Sequence, residues 1–477
     1  MNPRLGDIRR YLENNRERHV ARLQTFLRQP SVSVNGEGEM CAWLFADLLR
    51  DVGFTEADVV RTSGLPGVWG AYEAGAPVTL AVYGMLDVRG ADPVGWRVPP
   101  FSAEIVEMPP FRSVLVGRGA RAVKGPLCVW LNAVEACRAV LGRPPVNLYL
   151  LAESDEILGS PHYRDMMDRY RDRLARSAAC WTPGASQDRE GIAHVTLGYK
   201  GMIYLALRSS GALWGRGPRG GPIHGMAKSV VDSPVWRLIQ GLATLTCADE
   251  NGIAIDGFGA RDWVPSPGET MEMEAIRTRF HGEPWQRVLA GVQGAMIPAT
   301  DGLDDSEIYR RYFFGPSVNI SGLRSGYTGP GTPTFTLPHL AEAFLDIRIP
   351  RTWRTGEVLR ALRSRLDACG FSDIEAEVFG AFDGSRVAPD AHIVRAAKDM
   401  FESAGLDILW WPATGGGGPW SIFATELGLP VLRDIGLGHG RASLTDEYLV
   451  IDGAEKVGGI VEMALSHAEL MLRMGET

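Results

Sequence analysis

The chain lacks the features that would place it in several common classes of protein. Its 477 residues contain no run of about eighteen apolar residues, the length that a membrane-spanning helix requires. The amino-terminal segment is charged and has no apolar stretch of the secretory type, so we expect a cytoplasmic protein. The 49 lysines and arginines face 57 aspartates and glutamates and form no basic tract of the kind that binds nucleic acid or a membrane. We therefore expect neither of these as a partner.

Cysteine is sparse and shows no pattern of a metal site or a redox motif. The six cysteines are Cys41, Cys128, Cys137, Cys180, Cys247 and Cys369, and no two of them form a close pair. Cys128 and Cys137 fall in an apolar helical run, where small core residues are expected. The chain also lacks a His-Glu-x-x-His motif and a histidine-rich tract, so these common metal-binding patterns are excluded.

What the chain does contain is typical of a large globular α/β protein. Hydrophobic residues make up 45% and charged residues 22% of a chain that is too long for one ordinary core, so we expect two domains. Strand-like runs at 78–84 and 146–153 flank a helical segment at 127–141. This β-α-β order predicts a parallel sheet. Apolar residues at helical spacing also predict helices over 7–28 and 230–245.

Several motifs resemble those of a known enzyme superfamily. Residues 80–90, LAVYGMLDVRG, are similar to the apolar strand and Gly-His-x-Asp turn of the zinc aminoacylases and dipeptidases. Residues 117–125, GRGARAVKG, resemble the segment Gly-Arg-Gly-Ala-x-Asp-x-Lys-Gly, and residues 153–160, ESDEILGS, resemble Glu-Gly-x-Glu-Glu-x-Gly-Ser. The run at 317–350 resembles the dipeptidase branch. The superfamily includes carnosine dipeptidase, carboxypeptidase G, acetylornithine deacetylase and succinyl-diaminopimelate desuccinylase.

The resemblance implies a fold of two domains. We expect an α/β, zinc-exopeptidase-like catalytic domain with a mainly parallel sheet, formed by residues 1–200 and 385–477. A smaller α+β lid at residues 201–384 interrupts it, and the junction Tyr199–Gly201 resembles the family's Leu-Arg-Gly. Lids of this family pair with each other, so we expect a homodimer formed through the lid.

The positions at which the family binds zinc carry other residues here. They are Met85, Ala122, Ile157, Thr182 and Ser443, which replace a histidine, an aspartate, a glutamate, an aspartate and a histidine, respectively. Zinc in proteins takes imidazole, thiolate and carboxylate ligands in a tetrahedral shell, and these side chains offer none of them. The sequence therefore predicts a chain without metal ligands and without a cofactor.

Two acids of the family's site remain. Glu156 occupies the position of the general base, and apolar neighbours such as Ile157 should raise the pKa of its carboxyl towards neutrality. Such a group both accepts and donates a proton. The alternative is that Glu156 lies at the end of a strand and has no functional role. In the family, the residue at the position of Asp87 orients a ligand histidine. Here Asp87 either holds a substrate ammonium or a second catalytic proton, or it caps a turn.

The resemblance also assigns residues of the lid. His224 resembles the lid histidine that reaches the active site of the other subunit and stabilises the oxyanion. We therefore count it with Glu156 and Asp87 as catalytic. Arg348 and Asn319 resemble substrate contacts of the family, in which the guanidinium of an arginine forms two hydrogen bonds to a carboxylate. Ordinary packing of the lid is the alternative for both.

A glycine run replaces the family's Gly-Gly-Ser-Ile-Pro substrate loop. The run lies in TGGGGPWS at 414–421, and its backbone N–H groups can cradle an anion. A flexible turn is the alternative. The substrate contacts expected here are Gly416, Gly417 and Gly418.

The missing ligands determine the reaction that we expect. Zinc lowers the pKa of a bound water from 15.7 to about 7, and without it water is a poor nucleophile, whereas a substrate amine needs only a base. We therefore expect a metal-independent acid/base enzyme that forms amide bonds, cyclises or transfers acyl groups on a small amino-acid-like or peptide-like substrate in a specialised biosynthetic pathway. Two alternatives are a metal-free hydrolase of an activated amide, ester or thioester, and a non-catalytic binding or scaffold protein.

Overall fold

The computed structural model describes most of the chain. The described residues are 3–246, 253–255, 263–283, 288–289, 302–331 and 335–476. Cys247 and residues 332–334 of the dipeptidase-like run lie outside them. None of the described helices is long and apolar enough to cross a membrane.

Helices and strands alternate along the described chain. The helices are α1 (Pro3–Asn14), α2 (Arg16–Arg28), α3 (Glu39–Val52), α4 (Lys124–Leu141), α5 (Tyr163–Leu174), α6 (Gly211–Trp214), α7 (Pro234–Ala243), α8 (Pro267–Arg279), α9 (Asp305–Phe314), α10 (Thr355–Ala368), α11 (His392–Ser403), α12 (Ser421–Thr425) and α13 (Ile460–Gly475). The first ten strands are β1 (Glu56–Val60), β2 (Gly67–Tyr72), β3 (Thr79–Met85), β4 (Glu104–Met108), β5 (Phe111–Val116), β6 (Asn147–Glu153), β7 (Ala179–Pro183), β8 (Ala193–Thr196), β9 (Gly198–Tyr199) and β10 (Gly201–Ser210). The remaining strands are β11 (Ile223–His224), β12 (Ser317–Ser325), β13 (Thr336–Leu337), β14 (Leu340–Ile349), β15 (Glu375–Phe382), β16 (Ser385–Arg386), β17 (Ile408–Trp411), β18 (Val431–Ile435), β19 (Gly440–Arg441) and β20 (Tyr448–Asp452).

The chain divides into two compact units. Unit 1 comprises Met1–Leu197, Arg386–Trp411 and Pro419–Thr477, and unit 2 comprises Gly198–Ser385 and Pro412–Gly418. One unit is thus inserted in the sequence of the other. The short segment that carries the glycine run belongs to unit 2, not to the catalytic domain in which its sequence position placed it.

Unit 1 is built on a six-stranded sheet in the order β1-β2-β6-β3-β7-β18. The parallel part of this sheet consists of β6, β3, β7 and β18. Strand β2 is antiparallel to β6, and β1 is antiparallel to β2. Every residue of β2 and β6 is buried, as expected for strands covered on both faces. Trp130 of α4 is fully buried and contacts the ring of Trp181 on β7. The predicted α/β class with a mainly parallel sheet is confirmed.

Unit 2 contains a four-stranded antiparallel sheet in the order β12-β14-β10-β15. Leu238 of α7 and Leu362 of α10 join Ile203 and Leu345 of the sheet in one buried cluster. Strand β12 lies at the edge and is largely exposed, including Ile320. The predicted α+β character of the inserted region agrees with this unit.

Two predicted helices differ from the observed ones in their bounds. The helix predicted over 7–28 is two helices, because Asn15 leaves the helical conformation with φ −107° and ψ 11°. The helix predicted over 230–245 begins only at Pro234. The hydroxyl of Ser233 accepts the N–H of Trp236, and proline at the first helical position favours this start.

Candidate active site

A cavity of about 260 Å³ opens in unit 1 where strands β3 and β6 end. The carboxyl ends of parallel strands are the common place for ligands in α/β sheets. Met85 is the last residue of β3, and Glu156 and Ile157 follow β6 after a two-residue loop. Ala122 comes from the segment before α4, and Ser443 from the segment before β20. The fold therefore gathers four of the five predicted zinc positions in one cavity.

The residues that line this cavity do not fit a pair of zinc ions. At the four gathered positions they offer a thioether, a methyl group, an alkyl chain and a hydroxyl. Neither histidine nor cysteine lines the cavity, and within the described ranges no group of three or more His, Cys, Asp or Glu residues is placed to hold a metal. Thr182, the fifth position, lies in β7 and is not part of the lining. We derive no catalytic step through zinc, and metal content stays a prediction.

Asp87 is fully buried and both of its carboxylate oxygens are occupied. Oδ2 accepts the hydroxyl of Ser33 at 2.8 Å and the N–H of Ile157 at 2.9 Å, while Oδ1 accepts the N–H of Glu156 at 3.2 Å. Burial, followed by the charge of Glu156, raises the pKa of Asp87 to about 7. Asp87 thus caps the 3-10 turn Glu156–Leu158, the second of its two predicted roles. A catalytic role for it stays a prediction.

Glu156 is the acid of its loop that lines the cavity. Its neighbour Glu153 is fully buried, accepts the hydroxyl of Tyr83 at 2.7 Å, and has a pKa raised well above the usual range by burial and by the charge of Asp155. Asp155 contacts His162 at 2.6 Å. Glu156 itself is half-buried and borders the cavity beside Ile157. This placement favours a functional role for Glu156 over a position at a strand end without function. The role itself stays a prediction.

Sequence reasoning missed the residue that organises one wall of the cavity. Glu447 is fully buried and accepts the N–H groups of Ala122 at 2.8 Å and Arg121 at 3.1 Å. Its other oxygen accepts Arg118 at 3.0 Å. Glu447 therefore ties the Gly-Arg-Gly segment to the loop that carries Ser443. The signal available was its position, four residues after Ser443 in the same motif.

The structure places the predicted lid residues in unit 2. His224 is exposed on β11, where its Nδ1 accepts the N–H of Met226 at 3.2 Å. Asn319 is exposed on the edge strand β12, opposite Asp346 of β14. Arg348 forms an ion pair with Asp346, with Nε 2.7 Å from Oδ1 and a second nitrogen 3.1 Å from Oδ2. A carboxylate of its own strand thus already occupies the arginine that was predicted to bind substrate.

The glycine run packs closely against Lys200. A Cβ at Gly417 would lie 2.3 Å from the carbonyl oxygen of Lys200, so this position requires glycine. Gly416 donates its N–H to Thr414 Oγ1 at 3.4 Å, and Gly418 is buried. Close packing at Gly417 explains part of the run, and anion binding by Gly416, Gly417 and Gly418 stays a prediction.

The fold is that of an α/β unit with a mainly parallel sheet and a cavity at its strand ends, interrupted in sequence by a second unit. The chain belongs to peptidase family M20/M25/M40, whose family model matches residues 81–466.

Named relatives agree with this membership. The Cys-Gly metallodipeptidase DUG1 of Candida albicans is 25% identical over 356 residues, which is 68% of this chain and 67% of that protein. The Beta-Ala-His dipeptidase of Mus musculus is 35% identical over 300 residues, 61% of this chain and 55% of that protein. This chain therefore matches little more than half of the mouse protein's length.

Solved structures show the same fold. The M20 family metallo-carboxypeptidase Sso-CP2 from Sulfolobus solfataricus superposes with a TM-score of 0.79 at 25% identity, covering 96% of this chain and 99% of that one. The di-peptidase Dug1p from Saccharomyces cerevisiae also gives 0.79, at 22% identity and with full coverage of both chains.

The predicted biosynthetic function is wrong. We expected a metal-independent enzyme of amide-bond formation, cyclisation or acyl transfer, but the relatives are named as metallodipeptidases, which break peptide bonds. The prediction relied on the weakness of water as a nucleophile, and no motif of the chain indicated an amine acceptor. Membership of a peptidase family places the chain in a hydrolase class instead.

Proposed function

We propose that this protein hydrolyses the amide bond of a small peptide-like substrate in the cavity of unit 1, with Glu156 as the proton-transfer group. The observation that carries the proposal is the position of Glu156, which borders the cavity while Glu153 and Asp155 are engaged elsewhere. The names of the relatives, which refer to Cys-Gly and β-Ala-His, support a dipeptide as substrate.

In this proposal Glu156 acts first as a base and then as an acid. Its carboxylate removes a proton from the attacking water, whose oxygen bonds to the carbonyl carbon. The same proton passes to the leaving amine as the carbon–nitrogen bond breaks. Asp87 holds the turn that carries Glu156 by accepting the N–H groups of Glu156 and Ile157.

We also propose that the protein is a homodimer formed through unit 2. Strand β12 is an edge strand, and its exposed side chains include Ile320 and Leu323, with 49% and 56% of their surface accessible. An exposed, apolar edge strand is suited to pairing with a second copy of the chain.

The experiment is an assay of the full chain with Cys-Gly and β-Ala-His that detects the released amino acids. The Glu156→Gln protein keeps the shape of the side chain but cannot carry the proton, so we expect turnover to fall by about 10²-fold or more. Glu104→Gln, an exposed position of β4, is the matched control and should retain full activity.

Two outcomes contradict the proposal in different ways. Full activity of Glu156→Gln would show that another group moves the proton. Saturable dipeptide binding to the wild-type protein without release of amino acids would show a binding protein and not a hydrolase.

A further inference from the structure

Three of the five positions at which the family binds zinc carry apolar side chains that line the cavity of unit 1. Met85 contributes a thioether, Ile157 a branched alkyl chain and Ala122 a methyl group, and the indole of Trp420 lines the same cavity. Charged residues line it as well, so the surface that a ligand meets is apolar in one part and polar in another. The relative positions of the apolar residues decide whether they act as one surface.

Met85 and Ile157 lie at the ends of two neighbouring strands. Met85 ends β3 and pairs in register with Glu153, which ends β6. Ile157 follows Glu153 by four residues, and its N–H donates at 2.9 Å to Asp87, which lies two residues beyond Met85. The turn that carries Ile157 is thus fixed beside the end of β3. This hydrogen bond brings the thioether and the alkyl chain to the same end of the sheet.

Trp420 continues this surface. Tyr83 and Met85 are two residues apart in β3, so their side chains lie on the same face of the sheet. The ring of Trp420 packs edge-on against the ring of Tyr83, with the two centres 5.9 Å apart. Arg433 stacks on the indole at 3.5 Å and helps to hold it in place. We call the surface formed by Met85, Ile157 and Trp420 the apolar wall.

The polar residue between the two strand ends is directed into the protein. Asp87 is fully buried, and it accepts hydrogen bonds from the hydroxyl of Ser33 and from the N–H groups of Glu156 and Ile157. Met85 and Ile157, in contrast, are only half-buried. Alkyl surface that stays accessible in a cavity favours an apolar ligand group, because contact with such a group removes apolar area from water.

We propose that the cavity accepts an aliphatic side chain of a small peptide-like substrate, packed against the apolar wall. The charged residues of the lining are then left to the backbone and the termini of the substrate. This inference rests on the proposed function for the peptide-like nature of the ligand, and it adds the chemical class of one side chain.

The test is calorimetric titration of the full chain with ketomethylene isosteres of dipeptides, in which a CH₂ group replaces the amide N–H so that no bond can be hydrolysed. One series has the form X-Gly and the other Gly-X, where X is glycine, alanine, 2-aminobutyrate or norvaline. We expect the affinity in one series to rise about fourfold for each added carbon. The series that shows the rise identifies the residue of the substrate that contacts the apolar wall.

Substitutions in the apolar wall test where the side chain binds. Met85→Gln and Ile157→Asn keep the approximate size of the side chains but make them polar, so we expect a gain of less than about twofold for each added carbon. Ile157→Leu keeps the alkyl surface and should keep the fourfold gain. Ile105→Asn, at an exposed position of β4 outside the cavity, is the matched control and should behave as the wild type does.

Three outcomes overturn the inference. They are the absence of isostere binding to the wild type, an affinity that stays constant along both series, and an equal gain in the wild type and in both polar variants. Because the isosteres are not hydrolysed, the result is separate from the dipeptide assay. Hydrolysis of Cys-Gly without a gain along either series leaves the proposed function and removes the apolar wall as a binding surface, and a gain without hydrolysis does the reverse.

Discussion

At the scale of single residues, the chemistry of the cavity depends on a few side chains that differ from those of a zinc site. Met85, Ala122, Ile157 and Ser443 surround one space and supply no imidazole or carboxylate. Of the acids that remain in the lining, Asp87 accepts backbone N–H groups, and Glu447 accepts backbone N–H groups and Arg118. The residues thus keep the place of the family's site but change its charge.

The donor chemistry predicts the zinc content of the purified protein. We expect less than stoichiometric zinc in the wild-type chain after desalting, because Met85, Ala122, Ile157 and Ser443 supply no imidazole, thiolate or carboxylate to a metal. The fourfold variant Met85→His, Ala122→Asp, Ile157→Glu, Ser443→His restores four donors in that cavity and should retain about one zinc ion per chain. Elemental analysis measures both proteins. One or more zinc ions per wild-type chain would show that the donors lie elsewhere.

At the scale of elements, Lys200 joins the strand β10 to the end of helix α9. The buried ammonium donates to the carbonyl oxygen of Gly315 at 2.6 Å, directly after the helix. Burial, together with the charge of Arg348, lowers the pKa of Lys200 to about 7 from 10.5. Because the unfolded chain keeps this proton up to a higher pH than the folded chain does, folding releases a proton between these values.

This difference predicts a pH dependence of stability. Between pH 7 and 10.5 the unfolded state binds more protons at Lys200, so the free energy of unfolding rises with pH by up to about 1.4 kcal/mol per unit. In Lys200→Met this contribution disappears, whereas the exposed Lys228→Met keeps it. Urea unfolding at pH 7 and pH 8 measures the difference. An equal slope in the wild type and Lys200→Met would contradict the lowered pKa.

Much of the cavity was predictable from sequence because its motifs adjoin secondary structure. Met85 ends a strand, Glu156 follows one and Ala122 precedes a helix, so their positions follow from short segments. Other features were not predictable. One hydrogen-bond donor to Asp87 is Ser33, which lies 54 residues away in sequence. Arg433 lines the cavity from β18, a strand that has no recognisable motif. Lys200 was missed because its burial depends on the distant Gly315.

At the scale of the whole molecule, the proposed dimer depends on one edge of the unit 2 sheet. Strand β12 exposes Leu323 at one edge, and β15 exposes Val378 at the other. We expect Leu323→Lys to weaken self-association at least tenfold, because it introduces a charge at the proposed contact. Val378→Lys is the matched control and should remain a dimer. Light scattering at micromolar concentration reports the mass, and a monomeric wild-type protein would contradict the dimer.

The reaction that we propose for this member of a peptidase family is hydrolysis of an amide bond in the cavity bordered by Glu156. The most direct measurement is mass spectrometry of the products formed from a dipeptide in ¹⁸O-labelled water. We predict one ¹⁸O atom in the carboxylate of the released acyl residue, and a labelled product that forms about 10²-fold more slowly with Glu156→Gln. An unlabelled product joined to an amine, or label formed at the same rate by both proteins, would contradict it.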